Sequence, residues 1–141
     1  MVGASPVGRF PASHRIRKRL EFLAIQKSGR RITTEHFVLL LSARGDTEGP
    51  ARLGIVASRK VGTAVARNRA KRLTREAFRA TRDLWIRGMD LVVIVRRPLG
   101  KLKLDAVASE WRAAEPHVRR RTREAERDRA EGRAREKAEG G

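Results

Sequence analysis

From Ala64 to about Ile86 the chain reads as a helix that is cationic around most of its circumference, and this leaves it few ways to fold. At about 100° per residue, Ala66, Ala70, Leu73, Ala77, Ala80 and Leu84 fall along one narrow line. Most of these side chains are small, so the helix can lie close against a sheet. The opposite half carries Arg67, Asn68, Lys71, Arg72, Arg75, Arg79 and Arg82, with Arg69 on the flank. Thr63 is placed to cap the helix and Gly88 to stop it.

A helix face that only needs solubility mixes charge signs, because like charges at i,i+4 cost a few tenths of a kcal/mol each. Between Arg59 and Arg82 there are nine basic residues and one acid, Glu76. Arg67, Lys71 and Arg75 follow the i,i+4 spacing with no acid between them on that face. Phosphates would neutralise such a face. Its first turns also offer free backbone N–H groups and the positive end of the helix dipole, and Ser58-Arg59-Lys60 brings two more cations to the same corner. Asn68, neutral among arginines, can both donate and accept, which suits a 2′-hydroxyl, a base edge or a metal-bound water.

The rest of the chain supplies the sheet. Ile16 to Ser28 reads as a helix with Ile16, Leu20 and Leu23 on its main apolar stripe. Phe37–Ala43 and Arg52–Ser58 read as strands, antiparallel because the turn-rich connection Arg44–Pro50 is short. Met89–Val95 is the clearest strand. A last amphipathic helix places Leu104, Val107, Ala108, Trp111 and Ala114 on one face. The order α-β-β-α-β-α predicts a three-stranded α+β sandwich of two layers. Residues 1–14 read as a flexible lead-in, 15–118 as the RNA-binding domain, and 119–141 as a charged, disordered tail, helical at most in part. In that tail apolar residues other than Ala vanish.

Composition narrows the chemistry. The formal net charge is +18, from 34 Lys and Arg against 16 Asp and Glu, and a polyanionic partner is the commonest reason for such an excess. With no Cys, thiolate metal sites, disulfides and Cys nucleophiles are excluded. The three His residues lie far apart in sequence and the core region's acids are scattered, so neither a catalytic constellation nor a protein metal site is expected. The absence of a membrane-length apolar run or a secretory signal points to a cytoplasmic protein with no membrane partner.

The segment Ser58-Arg-Lys-Val-Gly-Thr-Ala-Val-Ala-Arg-Asn-Arg-Ala-Lys-Arg-Leu-Thr-Arg-Glu-Ala-Phe-Arg79 resembles the signature region of the bacterial ribonuclease P protein family. Arg15-Ile-Arg-Lys-Arg-Leu-Glu-Phe22, His36-Phe-Val-Leu39 and Gly88-Met-Asp-Leu-Val-Val-Ile94 resemble that family's first helix, first strand and last strand. The resemblance covers roughly residues 15–116. It implies the ribosomal protein S5 domain 2-like fold, with a left-handed βαβ crossover where the general rule favours the right-handed one.

It also implies a subunit of an endoribonuclease whose catalytic part is a separate RNA. That enzyme removes the 5′ leader of precursor tRNA with Mg²⁺ bound chiefly by the RNA. Arg59, Lys60, Arg67, Asn68, Arg69, Lys71, Arg72 and Arg75 are then expected to contact the catalytic RNA. Lys18, Phe22, Phe37 and Ser58 are expected to line the leader cleft, Phe22 as a stacking platform or, alternatively, packed under a neighbouring loop. Gln26 and Leu40 stand where the family often carries aromatics. The competing reading is a ribosomal or ribosome-assembly RNA binder. A DNA-binding helix-turn-helix fits poorly, because strands rather than a short helix precede the basic helix.

Overall fold

Met89–Val95 (β4) is apolar at nearly every position because it is buried on both faces in the middle of the sheet. Phe37–Ala43 (β2) pairs with it antiparallel, and Arg52–Val56 (β3) pairs with it parallel on the other side. A fourth strand, Arg30–Thr33 (β1), adds antiparallel to β2, giving the order β1-β2-β4-β3. The computed structural model describes residues 14–16, 19–44 and 49–140. The lead-in expected over 1–14 therefore lies almost entirely outside the described residues.

The expected α+β architecture is present, with three departures. β2 and β3 do run in opposite directions, but they are not neighbours, because β4 enters between them. β1 is an addition to the expected three strands. Its four residues contain a single buried apolar side chain, Ile32, and its pairing is made by backbone. The helices occupy both faces: Ala64–Ala80 (α2), Leu104–Ala113 (α3) and Glu115–Gly140 (α4) cover one, and Arg19–Ser28 (α1) part of the other.

Strand alternation divides the core in two. Phe37, Leu39, Leu41, Leu91, Val93 and Val95 face α2, α3 and α4, whereas Val38, Leu40 and Val92 face α1. Trp111 of α3 is fully buried at the centre of the larger core, edge-on to Phe37 at 5.5 Å and to Trp85 at 5.9 Å. α2 contributes Ala70, Leu73, Thr74, Ala77 and Phe78. It ends at Ala80, short of the expected Ile86. The Thr81 hydroxyl donates back to Ala77 O and accepts from Trp85 Nε1, and a 3₁₀ turn at Arg82–Leu84 comes next.

The tail expected to be disordered from 119 is instead part of α4, so the boundary at 118 cuts through a helix. Val118, Thr122 and Ala125 are buried at helical spacing, and these small side chains let α4 lie against β1 and β2. Arg30 of β1 donates through Nε and Nη2 to the two carboxylate oxygens of Asp128, each at 2.8 Å. A solvent-exposed pair of this kind adds little stability, so the docking rests on the apolar stripe.

The turn between β1 and β2 is held by α3. Glu110 accepts from Thr34 Oγ1, from the His36 backbone N–H at 2.9 Å, and pairs with His36 Nδ1 at 2.7 Å. Burial alone would raise the Glu110 carboxyl, but hydrogen bonds from Thr34 and His36 outweigh it and hold the group below its usual range. A carboxylate depressed on folding stabilises above its unfolded value, about 4.3, and that contribution is lost as pH falls through the folded value. Melting temperature measured across the acid range should therefore fall more steeply in the wild type than in Glu110→Gln. Parallel curves would show that this clamp contributes nothing.

Candidate nucleic-acid interface

The cationic corner is built where β3 ends. After Val56 the chain enters a 3₁₀ turn at Arg59–Val61, closed by Val61 N–H donating to Ser58 O at 3.0 Å. Val61 is buried and anchors the turn, so Arg59 and Lys60 are left exposed beside Ser58. Gly62, at φ 134°, reverses the chain in a region that side chains rarely adopt. Thr63 then caps α2 as expected, its hydroxyl accepting from Ala66 N–H at 3.2 Å.

Along α2, Asn68 and Arg72 are exposed, while Arg67, Lys71 and Arg75 are partly buried. The single acid on this helix, Glu76, reaches Arg72 only at 4.0 Å. Burial, together with the nearby charge of Arg15, pushes the Arg75 guanidinium below its usual range. The structure thus brings Arg59, Lys60, Arg67, Asn68, Lys71, Arg72 and Arg75 onto one turn and helix. Arg69 lies on the flank of the same helix, where its terminal nitrogens donate to the carbonyls of Gly100 and Leu102, tying α2 to the loop after β4.

The second surface is the sheet face under α1. Here the expected stripe is displaced. Ile16 lies before the helix, bonded to Leu53 O beside β3, so it no longer shares the helical phase. Leu20 and Leu23 are 81% and 44% exposed, while Ile25 is buried and Phe22 is half-buried. Phe22 lies over β3 at Gly54, where an added Cβ would come within 2.5 Å of its ring. Glycine is needed there for close approach. Phe22 therefore packs against the sheet and stays partly exposed.

Phe37 does not belong to this cleft. It is fully buried on the opposite face, because odd-numbered β2 residues point toward α3 while Val38 and Leu40 point toward α1. Lys18 lies outside the described residues. Ser58 is exposed just past the end of β3. Two residues that sequence reasoning missed belong here: Arg31 and Thr33 of β1 are exposed, and their register opposite Leu40 and Val38 places them on the α1 face. No pattern could have found them without β1.

One end of this face is closed by charge. Asp90, 4% exposed, accepts from Arg44 Nη1 and from Arg52 Nε and Nη2, each at 2.8 Å, and Glu21 of α1 pairs with Arg52 at 3.2 Å. The other end, with Val56 and Ile94 half-buried and Arg31, Thr33 and Ser58 around it, is open. Together the two surfaces offer cations for phosphates and an apolar floor with one aromatic edge for a base.

Among the described residues, ligand-type atoms come together within 4.8 Å at Glu35, His36 and Glu110. There the His36–Glu110 pair is already engaged in the turn clamp, and this group is not on α2. The α2 face, with Asn68 among cations, does not form a ligand set for Mg²⁺.

The ribonuclease P family model matches residues 10–115. A ribonuclease P protein component from Desulfovibrio desulfuricans is 43% identical over 95 residues, covering 67% of this chain and 73% of the relative. One from Syntrophus aciditrophicus is 41% identical over 98 residues, covering 70% and 81%. Among solved structures, the ribonuclease P protein from Thermotoga maritima superposes with a TM-score of 0.61 at 38% identity, over 69% of this chain and 90% of that one. The Staphylococcus aureus protein gives 0.59 at 29% identity, over 78% and 92%.

Proposed function

Because this chain belongs to the ribonuclease P protein family, we propose that α2 binds the catalytic RNA while the open end of the α1 sheet face takes the single-stranded leader of precursor tRNA. The chain is a subunit of an endoribonuclease whose bacterial form carries its catalysis on RNA. The observation that carries the site assignment is the separation of two surfaces. One is almost purely cationic, and the other is an apolar floor edged by Phe22 and by the cation Arg31.

In this reading Arg59, Lys60, Arg67, Lys71, Arg72 and Arg75 neutralise phosphates of the catalytic RNA. Asn68 makes the one contact there that can both donate and accept. Mg²⁺ is held chiefly by the RNA, consistent with an α2 face that lacks a carboxylate cluster. The protein orients the substrate and lowers the metal concentration at which the RNA works, and it does so in the cytoplasm. No described helix is long and apolar enough to cross a membrane. A purely ribosomal role is disfavoured by the relatives, which are named as ribonuclease P components.

The test uses two variants of the assembled holoenzyme, each measured with precursor tRNA and with mature tRNA. Asn68→Ala should weaken assembly or raise the Mg²⁺ requirement whatever the leader length. Phe22→Ala should weaken only the precursor, by about 1–3 kcal/mol if a base stacks on the ring. Equal losses on precursor and mature tRNA would make Phe22 a packing residue alone and remove it from the cleft.

A further inference from the structure

The strongest feature left unused lies at the far end of the sheet from Ser58 and the start of α2. There α4 passes the end of β2 and the start of β4, leaving a groove of about 350 Å³. Its walls include Arg44, Arg87, Arg129, Arg133 and Lys137, with Glu126 as the only acid lining it among the described residues. Arg44 is fixed in place by bonds to Asp90, Met89 O and Pro50 O. Arg129 has a buried Nε–H with no hydrogen-bond partner among the described residues. An unmade hydrogen bond from a charged group is costly, and the excess of cations along these walls suits the groove to an anionic ligand.

Position separates this groove from the α2 surface. β3 and β4 are parallel, so Ser58 and the first turn of α2 lie past the end of the sheet where β4 finishes, whereas Met89 begins it. Seven residues of strand put about 20 Å between them. The groove wall also comes from residues beyond 115, outside the span of the family match.

We propose that this groove is a second binding site for RNA, gripping phosphodiester oxygens with Arg129, Arg133 and Lys137. The proposal rests on the reading of the chain as a ribonuclease P subunit and extends it: an RNA contacted at both ends of the sheet is held across the whole molecule. Arginine is suited to this role because its planar fork meets phosphate oxygens two at a time. The cavity is large enough for a phosphate and its flanking sugars, and its charge matches a polyanion.

The test compares two charge-matched double variants on the same helix. Arg133→Gln with Lys137→Gln removes two exposed cations from the groove, and Arg123→Gln with Arg127→Gln removes two exposed cations that do not line it. Affinities of the full-length proteins for a bacterial ribonuclease P RNA, and of the holoenzymes for a precursor tRNA, are measured over a range of KCl. The groove variant should bind several-fold more weakly, with the slope of log affinity against log salt reduced by about 0.7–0.9 for each phosphate it no longer neutralises. The control should keep the wild-type slope.

Loss confined to the catalytic RNA assigns the groove to it, and loss confined to the precursor assigns it to substrate; either supports the proposal. Equal losses in both variants, or no loss in either, would overturn it. Melting curves establish that both variants remain folded. If wild-type protein bound these RNAs without stimulating cleavage, the ribonuclease P reading would fail, while the salt slopes would still decide the groove.

Discussion

Replacing Trp111 with Ala should destabilise the protein by about 3–5 kcal/mol, a large fraction of the total for a domain of this size. Trp111 has no exposed surface, and it meets Phe37 from β2 and Trp85 from the segment after α2 in edge-on contacts. Its removal therefore opens a cavity where α3, the sheet and the end of α2 converge. The remaining side chains come from three separate elements and cannot all move in to fill it. Denaturant unfolding should show the lowered midpoint, and the RNA affinity of the still-folded fraction should stay near wild type. A cost below about 1 kcal/mol would mean that this core is loosely packed.

Removing Asp90 should cost a similar amount by a different mechanism. Its carboxylate is almost fully buried and receives both Arg44 and Arg52. Asp90→Ala leaves two largely buried guanidinium groups without that partner, and breaking a buried pair in this way typically costs about 3–5 kcal/mol. Glu21 still reaches Arg52, so the seat of α1 on the sheet should loosen rather than vanish. Urea unfolding gives the stability loss, and protection of the α1 amides from hydrogen exchange gives the local effect. If α1 exchange is unchanged, the network does not position that helix.

How far the sequence reveals this arrangement depends on how much each element advertises itself. β4 and α2 are legible because each carries an unbroken pattern: seven consecutive strand residues in one, and a narrow apolar line against a cationic half in the other. The end of α2 is not, because the back-bonding of Thr81 to Ala77 and the stacking of Phe78 on Trp85 are tertiary choices. β1 is invisible because Arg30-Arg-Ile-Thr33 offers no periodicity, only backbone pairing to β2.

α4 escapes sequence reasoning for a related reason. Val118, Thr122 and Ala125 form a stripe of small residues, much as the core line of α2 does, but the high density of charge around them hides it. Phe37 and Phe22 show the same limit at single residues. β2 is apolar on both faces, so its pattern does not say which face holds Phe37. In α1 the phase shifts because Ile16 belongs to the β3 edge rather than to the helix. The cationic surface is readable almost entirely from residue type and spacing, whereas the contacts of Arg69 to Gly100 and Leu102 O appear only in the fold.

The most direct test combines the purified chain with a bacterial ribonuclease P RNA and a precursor tRNA at a Mg²⁺ concentration too low for the RNA alone. Cleavage should appear at the mature 5′ end, leaving a 5′-phosphate there, and should require both the protein and the RNA. No stimulation by the protein, or specific leader cleavage by protein rigorously freed of RNA, would contradict its assignment as the RNA-dependent subunit.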